Sequence, residues 1–263
     1  ITEEEMQGIP HELIDIADPS EEWNVVRFQR EAKAAVQRIT AKGRLPVLVG
    51  GTGFYIQALL YDIDFTETRE DTSYRSLLEE KARTEGNESL YRMLLEKDPE
   101  AAAAIHPNNL KRVIRALEFT RETGEKISDH NEEQRKRLPA YDAVFFVLTM
   151  EREKLYRRID LRVDQMMEAG LLEEVKRLQE QGFTSRDVSM QGLGYKQILQ
   201  YLEGEGTLED AVEQIKLQTR HFAKRQLTWF RRERDVIWVN TDEFPSREEM
   251  LDYMENTIRT RFS

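Results

Sequence analysis

The 263 residues carry a formal net charge of −11 and no cysteine. A disulfide framework and thiolate metal sites are therefore excluded, and no apolar run reaches the roughly 18 residues that a membrane-spanning helix needs. The length suits one or two domains, and the acidic start Ile1–Met6 lacks the basic region of a secretory signal, so a reducing cytoplasmic setting is expected.

His11–Ile16 is a short β-prone run. A helix is predicted from Asn24, with Val25, Phe28, Ala32, Ala35, Val36 and Ile39 at helical spacing and Gly43 closing it. Leu45–Val49 is an uninterrupted apolar run, as in a parallel strand covered on both faces. Strand, helix and strand predict a right-handed βαβ unit. Charged amphipathic helices follow over Tyr74–Thr84, Glu88–Lys97, Pro99–Ile105 and Asn108–Thr123, punctuated by Gly86 and Gly124. Ala143–Thr149 reads as a buried strand, Glu151–Gln181 as a long helix broken near Gly170, and Val236–Val239 as a last strand. The expectation is an α/β core formed by 1–61 and 141–263, with a helical insertion over 62–140.

Gly50-Gly-Thr-Gly53 joins the apolar run to an apolar helix. Such glycines let a phosphate reach helix N-terminal amides, and they equally suit a turn that is tight for steric reasons alone. No Gly-x-x-x-x-Gly-Lys-[Ser/Thr] run occurs. Arg157, Arg158 and Arg162 follow a strand, and Arg158 and Arg162 share a helix face suited to diphosphate. Glu151, Glu153, Asp160 and Asp164 could instead pair with them as surface charges.

The acidic average hides a basic cluster: between Lys216 and Arg234 stand seven basic residues and one acid, Glu233. Thr207 and Asp210 resemble a capping box opening a helix that runs to about Arg232, roughly 26 residues or 39 Å. Leu208, Ala211, Val212, Ile215, Phe222 and Ala223 form its core stripe. Arg220, Lys224 and Arg231 fall within about 40° of one another, with Lys216 beside them, as a ridge for a phosphate backbone or an ordinary solvated face. Trp229 and Phe230 suit core anchoring, and an aromatic at a basic helix end can also stack on an extruded base. The scattered His11, His106, His130 and His221 show no ligand spacing, so no structural metal is expected.

Six segments in order, Gly8–Pro19, Leu45–Tyr55, Asp98–Asn108, Arg158–Met166, Gly192–Lys196 and Ala223–Arg231, resemble the tRNA dimethylallyltransferases, also called tRNA isopentenyltransferases. The resemblance implies an α/β fold with a P-loop-NTPase-like parallel sheet core and a helical insertion domain. It implies a monomer, with no membrane partner, that moves a dimethylallyl group from dimethylallyl diphosphate to N6 of the adenosine 3′ of the anticodon. Magnesium rides on the diphosphate, and the adenosine is flipped into a channel. The N6 amine is the nucleophile and diphosphate the leaving group, whose charge the arginines and the metal stabilise. Thr52 would contact the target nucleotide within Gly50, Gly51 and Gly53, and Arg158 and Arg162 would hold diphosphate. The anticodon stem-loop would meet Lys111, Arg112, Val113, Ile114 and Arg115; Gln191, Gly192, Leu193, Gly194, Tyr195 and Lys196; and Lys224, Arg225, Gln226, Leu227, Thr228, Trp229, Phe230 and Arg231. Two departures stand out. His11-Glu12 replaces the common His-His, a change for packing or a surface contact. The Gly-Lys-[Ser/Thr] loop and the Asp-Ser-x-Gln segment with the general-base aspartate belong upstream of Ile1, so residues 1–263 by themselves are expected to bind weakly and not to catalyse. The competing readings are an adenylate prenyltransferase or small-molecule kinase of the same superfamily, and a non-catalytic RNA-binding protein.

Overall fold

The computed structural model describes residues 1–65 and 72–262, which form two compact units, Ile1–Ala58 with Asp142–Ser263 and Leu59–Tyr141. The divisions fall at 58/59 and 141/142, against the expected 61/62 and 140/141. Residues 66–71 of the expected insertion lie outside the described residues.

The first unit begins with α1 (Glu3–Met6) and α2 (Val25–Ala41). The side chain of Asn24 caps α2 by accepting from the Arg27 amide at 3.0 Å, satisfying one of the donors that every helix start leaves open. The inward face of α2 carries Gln29, Ala32 and Ala35. Buried Gln29 donates to the Ala58 carbonyl at 2.7 Å near the end of α3 (Gly53–Leu60).

The second unit is helical: α4 (Thr72–Glu85), α5 (Asn87–Lys97), α6 (Pro99–Ala104), α7 (Leu110–Thr123) and α8 (Ile127–Lys136). Leu78, Leu90, Leu94, Val113 and Leu117 close its core, each fully buried leucine contributing about 1.5–3 kcal/mol. Asp98 is buried between α5 and α6, where its side chain accepts from the amides of Ala101 and Ser128 and from the Ser128 hydroxyl. Arg75 grips Glu118 with two hydrogen bonds, at 2.9 and 2.7 Å.

The chain then returns to the first unit with β1 (Phe145–Thr149), α9 (Arg152–Glu168), α10 (Leu171–Glu180), α11 (Tyr195–Leu202), α12 (Leu208–Phe230), β2 (Val236–Asn240) and α13 (Arg247–Phe262). Gly170 at φ 96° separates α9 from α10, a left-handed turn that costs a glycine little. β1 and β2 pair in parallel, Phe145 opposite Val236 through Thr149 opposite Asn240. Val163, Val175, Met190, Ile198, Leu199 and Ile215 form the core under α9 to α12.

The βαβ expectation is corrected. His11–Ile16 is irregular, with Leu13 and Asp15 at positive φ. Leu45–Val49 has no regular secondary structure, and Val47 and Val49 are 74% and 89% exposed. A strand needs a neighbour to exchange hydrogen bonds with. Among the described residues no segment offers 45–49 a ladder, whereas β1 and β2 supply one to each other.

Candidate RNA and substrate site

The Gly50–Gly53 turn leads directly into α3, and the Thr52 carbonyl accepts from the Tyr55 and Ile56 amides at 2.9 and 3.1 Å. The turn lies against the end of α12. Gln226 Nε2 donates to the Gly51 carbonyl at 2.8 Å. A Cβ placed on Gly53 would stand 2.2 Å from Cδ1 of Trp229, and the Phe54 ring meets that indole edge-on at 6.4 Å. Thr52 itself is exposed.

Arg158 and Arg162 stand exposed on α9, one turn apart. The Arg158 guanidinium lies 3.9 Å from the Met150 sulfur. Arg162 adds its attraction to a backbone hydrogen bond at Thr2 in holding the Glu5 carboxyl below the usual range. Among the described residues neither arginine has a hydrogen bond or ion pair with the Gly-rich turn.

The basic ridge on α12 is shorter than expected. Lys216 pairs with Asp164 at 2.8 Å, and Arg220 donates to Asp160 at 3.0 Å while lying 6.0 Å over the Tyr156 ring. Both face α9 because its acids fall on the side that packs against α12. Arg220 therefore belongs to a helix–helix contact. Farther along, Lys224, Arg225, Thr228, Arg231 and Arg232 are exposed. A hollow of about 390 Å³ on this side is lined by His221, Lys224, Arg225, Thr228, Trp229 and Arg232. Trp229 is 37% exposed, whereas Phe230 is buried edge-on against Phe145 at 5.9 Å, so the two aromatics divide between surface and core. Leu227 is half-buried.

Two further predicted contact groups need the same separation. In Lys111–Arg115, Lys111 and Arg112 are exposed on α7, Arg115 is half-buried, and Val113 and Ile114 are core residues that anchor their neighbours. In Gln191–Lys196, Gln191, Gly192, Leu193 and Lys196 are exposed and Gly194 is buried at φ 99°, close to Leu171. The Gln191 side chain donates to the Ser185 carbonyl. The Tyr195 hydroxyl donates to Glu174; burial first, then that hydrogen bond and the carboxylate charge, push its pKa up to about 12. Tyr195 thus joins α11 to α10.

Residues 1–233 match the family model described as IPP transferase. The chain belongs to the IPP transferase family. A tRNA dimethylallyltransferase of Lachnoclostridium phytofermentans is 57% identical over 254 residues, covering 97% of this chain and 81% of that protein. One of Acetivibrio thermocellus is 48% identical over 258 residues, covering 98% and 82%. Among solved structures, the full-length tRNA isopentenylpyrophosphate transferase of Bacillus halodurans superposes with a TM-score of 0.71 at 43% identity, covering 99% of this chain and 81% of that one. A eukaryotic dimethylallyltransferase captured acting on tRNA gives 0.82 at 31% identity, covering 99% and 68%. The IPP transferase fold is α/β and P-loop-NTPase-like, and in this chain it is mostly helical with a small parallel sheet.

Within this IPP transferase, the hollow brings in His221 and Arg232, which were not singled out as contact residues. His221 shares a face of α12 with Arg225 and Thr228 by helical spacing, whereas Arg232 follows in the turn beyond the helix. Gln57 and Glu233 were also missed, because their hydrogen bond at 3.5 Å joins residues 176 apart.

Proposed function

We propose that the protein transfers a dimethylallyl group from dimethylallyl diphosphate to N6 of the adenosine 3′ of the anticodon in tRNA. One observation carries this beyond family membership. The end of α12 holds the Gly-rich turn with Gln226 and one edge of the Trp229 indole, and presents Lys224, Arg225, Arg232 and the 37% of Trp229 that stays exposed to the surface. Cations for backbone phosphates and an aromatic face for an unstacked base suit a single-stranded loop, and a free mononucleotide has no need of such a surface.

In this reading Lys224, Arg225 and Arg231 engage anticodon-loop phosphates, Trp229 stacks on a base, and Lys111, Arg112 and Lys196 add contacts to the stem-loop. Thr52 meets the extruded adenosine. The bond from N6 to the dimethylallyl carbon forms as the carbon–oxygen bond to diphosphate breaks, N6 gives up one proton to water, and Arg158 and Arg162 take the charge that develops on the departing group. Magnesium enters with the diphosphate as part of that substrate. No group of three or more His, Asp or Glu side chains gathers among the described residues. No helix among them is long and apolar enough to cross a membrane. The reading includes a monomer acting on one tRNA in the cytoplasm.

The test compares prenyl acceptors. For the protein expressed from its complete gene, with dimethylallyl diphosphate and magnesium, an anticodon stem-loop should gain one dimethylallyl group while AMP stays unmodified. Modification of AMP in preference to the stem-loop would favour an adenylate prenyltransferase.

A further inference from the structure

We infer that Gln226, Trp229 and Glu233 are positioning residues that clamp the Gly-rich turn and the start of α3 onto the end of α12, and so place Thr52 for the target nucleotide. The inference deepens the tRNA-prenylation reading and rests on it for the identity of that nucleotide. Three contacts build the clamp. Gln226 Nε2 donates to the Gly51 carbonyl at 2.8 Å. The Trp229 indole fills the space where a side chain on Gly53 would begin. Gln57, one turn into α3, donates to Glu233 at 3.5 Å. Half-burial raises the Glu233 carboxyl above the usual range, against the opposing effect of a hydrogen bond donated by the Trp229 indole.

The glycines show what the clamp requires. Neither Gly51 nor Gly53 has the positive φ that calls for glycine, so backbone freedom does not explain them. Space does: a Cβ on Gly51 would stand 2.2 Å from Gln226 Nε2, and one on Gly53 would stand 2.2 Å from Trp229 Cδ1 and 2.4 Å from its Nε1. Gly50, by contrast, has nothing within 4 Å of that position. Two of the three glycines therefore record close approach to α12. The family resemblance makes Gln226 an RNA contact, yet its amide donates to the protein's own backbone. Residues 226 and 229 lie on the side of α12 toward the turn and Glu233 follows in the bend beyond the helix, while 224, 225, 228 and 232 are exposed. The helix end thus offers cations to RNA while ordering the Gly-rich turn, and Trp229 stands at the border, one edge on Gly53 and the rest lining the hollow.

The test uses the protein expressed from its complete gene and reads tRNA affinity, single-turnover rate and hydrogen exchange at residues 51–56. Gln226→Ala should leave the tRNA Kd within about twofold, slow transfer roughly tenfold as expected for one lost hydrogen bond, and speed exchange in that segment. Gly51→Ala should do the same by displacing the Gln226 amide, and adding Gln226→Ala to it should cost little more, the non-additivity of two changes to one contact. Weakened tRNA binding with unchanged rate and exchange would make Gln226 an RNA contact and overturn the clamp, as would full additivity of the two substitutions. Absence of transfer in the wild type would instead fail the tRNA reading. Exchange at 51–56 still decides the clamp in that case, and an unchanged profile in Gln226→Ala overturns it.

Discussion

Thr52 is exposed at the mouth of α3 with its carbonyl already committed to the helix, so its hydroxyl is the part available to a nucleotide. Thr52→Val keeps the shape and removes one hydrogen-bonding group. It should lower the transfer rate by up to about tenfold with tRNA affinity unchanged, measured by single turnover and by a binding titration. Arg158→Ala and Arg162→Ala should each raise the KM for dimethylallyl diphosphate, by roughly ten- to a hundredfold where a charge-assisted hydrogen bond is lost. Steady-state kinetics at saturating tRNA checks this, and an unchanged KM would return that arginine to the ordinary surface. Asp98 is the structural counterpart. Burial pushes its carboxyl up, but hydrogen bonds from Ala101 and Ser128 together outweigh this and hold it below the usual range. Its stabilising contribution is therefore present above the ordinary aspartate range and lost as pH falls through its depressed value. Asp98→Ala should destabilise the protein by about 2 kcal/mol or more at neutral pH and flatten the acid limb of a stability-against-pH curve. At this scale the sequence showed which residues matter better than it showed why. The glycines at 51 and 53 stood out, but their reason, contact with Gln226 and Trp229, is spread over some 175 positions of chain.

The helix α12 was readable in its cap and core stripe: Thr207 and Asp210 form the capping box, and Ala211 and Ile215 are buried. Its basic side divided in a way that a helical wheel cannot show, because the acids facing Lys216 and Arg220 come from α9. This yields a paired prediction. Lys224→Ala and Arg231→Ala should each weaken tRNA binding and reduce the slope of log affinity against log salt by about one. Arg220→Ala should leave that slope alone and lower stability by roughly 1–2 kcal/mol, since it strands Asp160 without its partner. Titrations at several salt concentrations, with thermal melts beside them, separate the two behaviours. The strands carry the same lesson. Phe145–Thr149 and Val236–Asn240 each carry one polar residue and Leu45–Val49 carries none, yet only the first two find each other. Apolarity marks a segment as able to be a strand, and pairing makes it one.

For the whole molecule, the family-model match over residues 1–233 places this chain in the IPP transferase family, in agreement with the resemblance carried by the six sequence segments. The family resemblance named three candidate contact groups, 111–115, 191–196 and 224–231. The structure then divided each cluster into exposed groups such as Lys111, Lys196 and Lys224 and buried anchors such as Val113, Ile114 and Phe230. Burial depends on packing between elements, so a motif alone could not make that division. The most direct test of dimethylallyl transfer to tRNA is nucleoside analysis of tRNA from cells lacking the gene, with and without a plasmid copy. The account predicts that N6-dimethylallyladenosine and its derivatives disappear on deletion and return with the plasmid, but not with one encoding Arg158→Ala and Arg162→Ala together. An unchanged level of the modified nucleoside in the deletion strain would contradict it.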